Sequence, residues 1–192
     1  MNLMTRIWLR MRRTALDLSG DTKGIAAVEF AMIVPLMLVL FFGTVEFSSG
    51  VAIDRKVTLM ARTQSDLTSQ NISVTDAQLT NIFNASTGIM SPYSATPVNS
   101  TVTELYIDPI TKIARVQWSK GTAPRGTGTT VAIPTALQAG GTYLIYSEVS
   151  YKYVPAVGYV MAKAGITMSD FTYTRPRQST CVMYNTTVCT TS

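Results

Sequence analysis

The stretch Lys23-Gly24-Ile25-Ala26-Ala27-Val28-Glu29-Phe30, with the apolar run that continues to Val45, decides how the rest of the chain is read. Between Ile25 and Val45 the only charged side chain is Glu29. Twenty-one residues at about 1.5 Å each make a helix of about 31 Å, roughly the thickness of a hydrocarbon core. The segment therefore reads as a single membrane span. Its two irregularities are the carboxylate one turn in and Pro35 near the middle. A secretory signal is the other reading of a basic start followed by apolar residues. The run is too long for a typical signal core, and Val45-Glu46-Phe47-Ser48 is a poor cleavage site. The span is expected to be retained.

Before the span, Arg6, Arg10, Arg12, Arg13 and Lys23 outweigh Asp17 and Asp21. Basic flanks of a first span stay in the cytoplasm, so the domain beyond the span is expected outside it. Residues 1–18 fit a short basic amphipathic helix with Leu3, Ile7, Trp8 and Met11 near one face, lying on the inner membrane surface. They fit a disordered basic leader equally well. Ser19-Gly20-Asp21 breaks either arrangement. The basic residues lack the aromatic interleaving of a nucleic-acid surface, so no nucleic-acid partner is expected. With 192 residues, the chain suits one domain plus an anchor. Its 46% hydrophobic content against 14% charged reflects the span more than the domain.

Beyond Glu46 the helix is expected to continue. Ile53, Val57, Met60 and Leu67 form a helical stripe, with Asp54, Arg55, Arg62 and Asp66 off it. A helix from Ile25 to Ser69 would be about 68 Å long, a little over twice the membrane core. Its second half needs a packing partner, and the following domain supplies one. Thr75-Asp76-Ala77-Gln78 has the form of a capping box, which predicts a short helix over Asp76–Asn84 carrying Leu79, Ile82 and Phe83. Ser91-Pro92 to Pro97 reads as a loop. Val102–Ile107 and Ile113–Trp118 read as a hairpin whose four- or five-residue loop begins at Asp108-Pro109. Gly121–Thr130 reads as an exposed loop. Tyr143–Tyr153 alternates as a half-buried strand, with Tyr143, Ile145, Val149, Tyr151 and Tyr153 on one side and Glu148, Ser150 and Lys152 on the other. After Pro155-Ala156-Val157-Gly158, Ile166–Arg175 is a further strand, and Cys181–Cys189 a final hairpin with Asn185 at its tip. The expected fold class is α+β: a long N-terminal transmembrane helix running into a periplasmic domain with a short helix and an antiparallel sheet.

Gly24, four small or apolar residues, Glu29, Phe30 and a long apolar helix together resemble a type IV prepilin cleavage site. More narrowly, GIAAVEFAMIVPLMLVLFFGTVEF resembles the TadE-like pseudopilins of tight-adherence (Flp/Tad) pilus systems. Val116-Gln117-Trp118-Ser119, Glu148-Val149-Ser150-Tyr151-Lys152-Tyr153-Val154-Pro155 and Tyr173-Thr174-Arg175-Pro176-Arg177-Gln178 are similar to that family's periplasmic domain, so the likeness spans most of residues 23–178. Phe30 stands where major pilins often carry Tyr, which suits a pseudopilin. The resemblance implies a type IV pilin-like architecture. It divides the chain into a cytoplasmic leader (1–24), a transmembrane helix (25–45), a helix extension (46–70) and a periplasmic domain (71–192).

The resemblance also implies a mechanism and partners. Prepilin peptidase would cut after Gly24, whose missing side chain lets a protease approach the backbone, and leave Ile25 with a free amine. Glu29 would meet a neighbouring subunit's N-terminal amine in the membrane, since a buried carboxylate is costly unless paired. The alternative is that Glu29 lies at the headgroup level and is solvated. The implied partners are prepilin peptidase, other pilins and pseudopilins, an inner-membrane assembly platform and the lipid bilayer. The implied location is the bacterial inner membrane, with incorporation in the pilus open. Pro35 fits either helix melting during extraction or a tolerated kink.

Several features carry plainer readings. Glu46 marks the outer interface. The Tyr-rich strand is core packing before it is a ligand platform. Arg175-Pro176-Arg177 is a solvated edge or a docking surface. The Asn-x-Ser/Thr triplets at Asn71, Asn84, Asn99 and Asn185 are expected by chance in a chain so rich in Ser and Thr. Catalysis finds no support: the chain has no His, two Cys alone make no zinc site, and Gly121–Gly128 lacks the Lys-Ser/Thr of a phosphate loop. No cofactor or metal is expected. Cys181 and Cys189 are expected to form one intramolecular disulfide, because both fall in the part placed outside the cytoplasm. The leading reading is a minor pilin-like structural subunit. Its rival is a signal-anchored periplasmic binding module that never enters a fibre.

Overall fold

The computed structural model of the chain describes residues 22–155 and 165–189. Residues 1–21 of the basic leader, with its amphipathic reading and the break at Ser19–Asp21, lie outside the described residues, as do Ala156–Gly158. The first described element is helix α1, Thr22–Ser69. It runs without interruption past Pro35, although that residue removes one backbone donor. The chain divides into two compact units, the first ending at Phe47 and the second beginning at Ser48.

The first unit's share of α1 is long and apolar enough to cross a membrane, by length and composition. Its side chains have almost no protein partners. Phe30, Met32, Val39 and Phe47 are 67%, 70%, 70% and 76% exposed. A helix apolar all round is stable only where something apolar surrounds it.

The second unit is α+β. The rest of α1 buries Ile53, Val57, Met60 and Ala61 against Val149, Tyr151 and Met90. Three of the four expected stripe residues are thus core, whereas Leu67 is half-buried. Beyond Ala61 the buried face turns polar: Gln64, Ser65, Thr68 and Ser69 are fully covered. Ser65 shares a 2.8 Å hydroxyl bond with Thr174, and the Ser147 hydroxyl donates to Gln64 Oε1 at 3.3 Å. Hydroxyls and the Gln64 side-chain oxygen pair where apolar periodicity stops, while the buried Gln64 Nε2 has no partner among the described residues, so the stripe alone under-reads the contact.

Strand β1 (Ser73–Val74) leads into α2, Asp76–Thr87. The Thr75–Gln78 capping box is formed, with Thr75 Oγ1 accepting from the Gln78 amide and Gln78 Oε1 from the Thr75 amide. The helix runs three residues past the expected Asn84. Its C-terminal turn is held by Ser86, whose buried hydroxyl donates to Ile82 O at 2.7 Å.

The main sheet holds β2 (Val98–Ile107), β3 (Ala114–Gly121), β4 (Thr130–Val131), β5 (Tyr143–Tyr153) and β6 (Ile166–Thr174) in the order β4-β3-β2-β5-β6, every pair antiparallel. The β2–β3 hairpin is present, but its loop is the longer Asp108–Ile113. Asp108 Oδ1 accepts the Ile110 and Thr111 amides at 2.8 and 2.7 Å, and Lys112 adopts a φ of 58°. Trp118 pairs with Glu104 and Val116 with Leu105, so the register shifts at Gln117 in a bulge.

One face of the sheet receives α1 and α2 through Leu79, Ile82, Val102, Trp118, Ile145 and Val149. The opposite face packs Leu105, Val116, Leu144 and Tyr146 under Ile133. This corrects the half-buried reading of Tyr143–Tyr153. From Tyr143 to Ser147 that strand is buried on both faces, and only beyond Glu148 does it alternate. The cover comes from the chain between β4 and β5, which the alternation of β5 cannot reveal.

The C-terminal segment also departs from the expected hairpin. Met183–Tyr184 forms β7, which pairs in parallel with β1. Of the hairpin, a single bridge from Tyr184 to Thr187 is present, turned at Asn185 with φ 50°. Asn tolerates this left-handed conformation, as its place at the tip implied.

Candidate functional site

Each unit holds a constellation of chemically distinctive residues. In the first, Gly24, Ile25, Glu29 and Phe30 all lie on α1 and are all exposed. Apart from its chain neighbours and the backbone of its own helix, no atom of the described residues lies within 4 Å of the point where a side chain on Gly24 would begin. Glycine also weakens a helix by about 1 kcal/mol relative to alanine, so this turn is among the easiest in α1 to unwind. Ile25 and Glu29 are four residues apart, which puts them one above the other on the same helix face. In this single chain, Glu29 is surrounded by Ile25, Val28, Phe30 and Ile33, all more than half exposed.

Residues 24–64 match the family model for TadE-like proteins. Over this stretch the chain is similar to TadE-like proteins. No curated protein and no solved structure matches the chain. The TadE-like stretch begins at Gly24 and covers the apolar segment, Glu29, Phe30 and the first part of the helix that packs on the sheet. The similar segments within residues 116–178 lie outside the matched stretch.

The second constellation belongs to no sequence motif. Glu104, on β2, is 2% exposed. Its Oε1 accepts the Val182 amide at 2.6 Å, while Trp118 Nε1 donates to the Val182 carbonyl at 2.8 Å. Two side chains from neighbouring strands thus hold both backbone groups of one residue in the C-terminal segment. Burial pushes the Glu104 carboxyl up to about 8, with the Val182 amide and Trp118 indole acting in the opposite sense. Next to it, Cys181 is buried beside Tyr106 and Tyr143 and is joined to Cys189 by a disulfide. The signal in the sequence is the alternation itself. Val102, Glu104 and Tyr106 share one side of β2, which places an acid on a core face.

A third polar group lies on the opposite side of the sheet. Arg125 forms a two-pronged pair with Glu148, which also accepts the Tyr146 hydroxyl at 2.8 Å. Burial pushes the Glu148 carboxyl up, but the bonds from Arg125 and Tyr146 outweigh it and hold the group below its ordinary range. Gly121–Thr130 is mostly exposed, as expected, yet Arg125 within it is partly covered by this pairing. Arg177, from the Arg175-Pro176-Arg177 segment, pairs with Asp66. Arg175 stays exposed. Among the described residues, no three metal-ligating side chains come together.

The disulfide carries a direct check on topology. Cys181 and Cys189 in protein from the native host are expected to resist alkylation until reduced, and then to take two labels. Closing a loop of this size contributes on the order of 2–3 kcal/mol. Two labels taken up without reduction would refute the bridge in the cell and weaken the orientation argued from the basic leader.

Proposed function

We propose that this chain is a minor pilin-like structural subunit for assembly of a tight-adherence (Flp/Tad) pilus, matured by prepilin peptidase. The observation that carries the reading is the family match, which begins at Gly24 and includes the apolar helix. The chain is then divided as a cytoplasmic leader to Gly24, a span over 25–45, a helix extension over 46–70 and a periplasmic domain over 71–192. It sits in the bacterial inner membrane before assembly. The unpartnered apolar surface of α1 supports this reading, because it needs lipid first and the helices of neighbouring subunits later. The other partners are the peptidase, companion pilins and pseudopilins, and the assembly platform. Ile25, once its amine is free, becomes the partner of Glu29 on an adjacent copy. The role is structural rather than catalytic.

The rival reading is an anchored binding module outside any fibre, and the N-terminus separates the two. Native protein from a strain with its prepilin peptidase is expected to begin at Ile25, and a Gly24→Arg chain to stay full-length while still inserting in the membrane. Intact-mass and N-terminal analysis make the measurement. Only full-length native chain would sink the pilin reading and favour the binding module.

A further inference from the structure

The helix-free face of the sheet is covered at one end by Ile133 and open at the other. The rows of side chains across β2, β5 and β6 follow from the register. At the covered end, the Tyr146 and Tyr173 rings stack at 4.6 Å. In the next row, Glu148 is opposite Phe171, a residue 56% exposed. In the row after that come Asn99 and Ser169, both exposed, with Ser150 half-buried between them. The last two rows, with Arg125, line a groove of about 290 Å³, near the roughly 300 Å³ at which small-molecule sites begin.

The chemistry of the groove is selective. Arg125 is held by both oxygens of Glu148 and lies 5.3 Å from the Tyr146 ring centre, so the closed pair has little to offer an anion or a cation. Asp170 at the rim disfavours an anion further. The side chains of Asn99, Ser150 and Ser169 make no hydrogen bond among the described residues. They present one amide and two hydroxyls, which both donate and accept. Beside them lies the open Phe171 ring. An exposed aromatic surface flanked by neutral two-way hydrogen-bonding groups suits a ligand that has an apolar face and a rim of hydroxyls.

We propose that this groove binds a neutral saccharide, with one pyranose ring resting on Phe171 and its hydroxyls bonded by Asn99, Ser150 and Ser169. The proposal goes beyond the assembly role and does not depend on it, since binding is read on the purified chain without a pilus. The test uses the full chain in lipid nanodiscs, free of glycoside detergent, on an array of neutral hexose and N-acetylhexosamine oligosaccharides with sialylated and sulfated ones alongside. Binding to a subset of the neutral sugars is expected. Phe171→Ala and Asn99→Ala should each weaken it about tenfold or more, the scale of a contact worth roughly 1.4 kcal/mol. Ile110→Ala, which alters an 88% exposed apolar residue on the β2–β3 loop, should leave it unchanged. Thermal melting of each variant verifies that these exposed substitutions leave the fold intact. Absence of binding to every neutral sugar, binding confined to the anionic ones, or binding untouched by both groove variants would overturn the proposal.

Discussion

The folded domain is expected to lose stability as pH rises from about 5 to about 8, because the buried Glu104 must then surrender its proton. The carboxyl stands at about 8 in the folded chain against 4.5 as its ordinary value. Between those values the folded state holds more protons than the unfolded one, so unfolding becomes easier as protons are withdrawn. The protonated acid is therefore fully favourable below about 4.5 and its contribution is lost as pH passes about 8. At roughly 1.4 kcal/mol for each pH unit between the two values, the change is on the order of 4–5 kcal/mol, a large part of a typical domain's stability. Tyr143 and Trp118 face the carboxyl. Burial foremost, then the Glu104 charge, raises the Tyr143 phenol, which therefore stays neutral throughout this window. Denaturant titration of the full chain in micelles at several pH values reads the slope. Glu104→Gln, which keeps an oxygen for the Val182 amide and removes the titration, should flatten it. A profile that is equally steep in Glu104→Gln would show that another group is responsible.

Glu29→Gln is expected to reduce pilus assembly by roughly a hundredfold while leaving membrane insertion and domain stability unchanged. Removing one member of an ion pair buried in a low-dielectric setting costs about 3 kcal/mol or more, since the surviving charge is left uncompensated. Here the surviving charge would be the amine of Ile25 on an adjacent copy. Insertion should be indifferent, because an amide is no harder to place in lipid than a carboxylate. The domain should be indifferent as well, because Glu29 is exposed and belongs to the first unit. Piliation is scored by microscopy and sheared-fibre yield, insertion by membrane fractionation, and folding by protease resistance. Normal piliation in a strain whose only copy carries Glu29→Gln would remove the pairing.

The sequence by itself determined the local elements, and the reason is that their causes are local. A run of apolar residues with one charge defines α1, a threonine and a glutamine three residues apart define the start of α2, and alternation defines β5. The same locality made the segment around Gly24, Glu29 and Phe30 legible, since its signal is contained within a few turns of one helix. Contacts between distant residues were decided only by the tertiary structure. The parallel pairing of Ser73–Val74 with Met183–Tyr184 and the polar seam of Gln64 and Ser65 against Ser147 and Thr174 each join segments far apart in the chain, and the burial of β5 on both faces depends on how the loop before it folds back. Glu104 shows the difference most clearly. The sequence reading assigns Glu104 no role, and what makes an acid tolerable on that core face is the amide of Val182, a residue 78 positions away. A buried polar group needs its partner in space, and neither periodicity nor propensity carries that information.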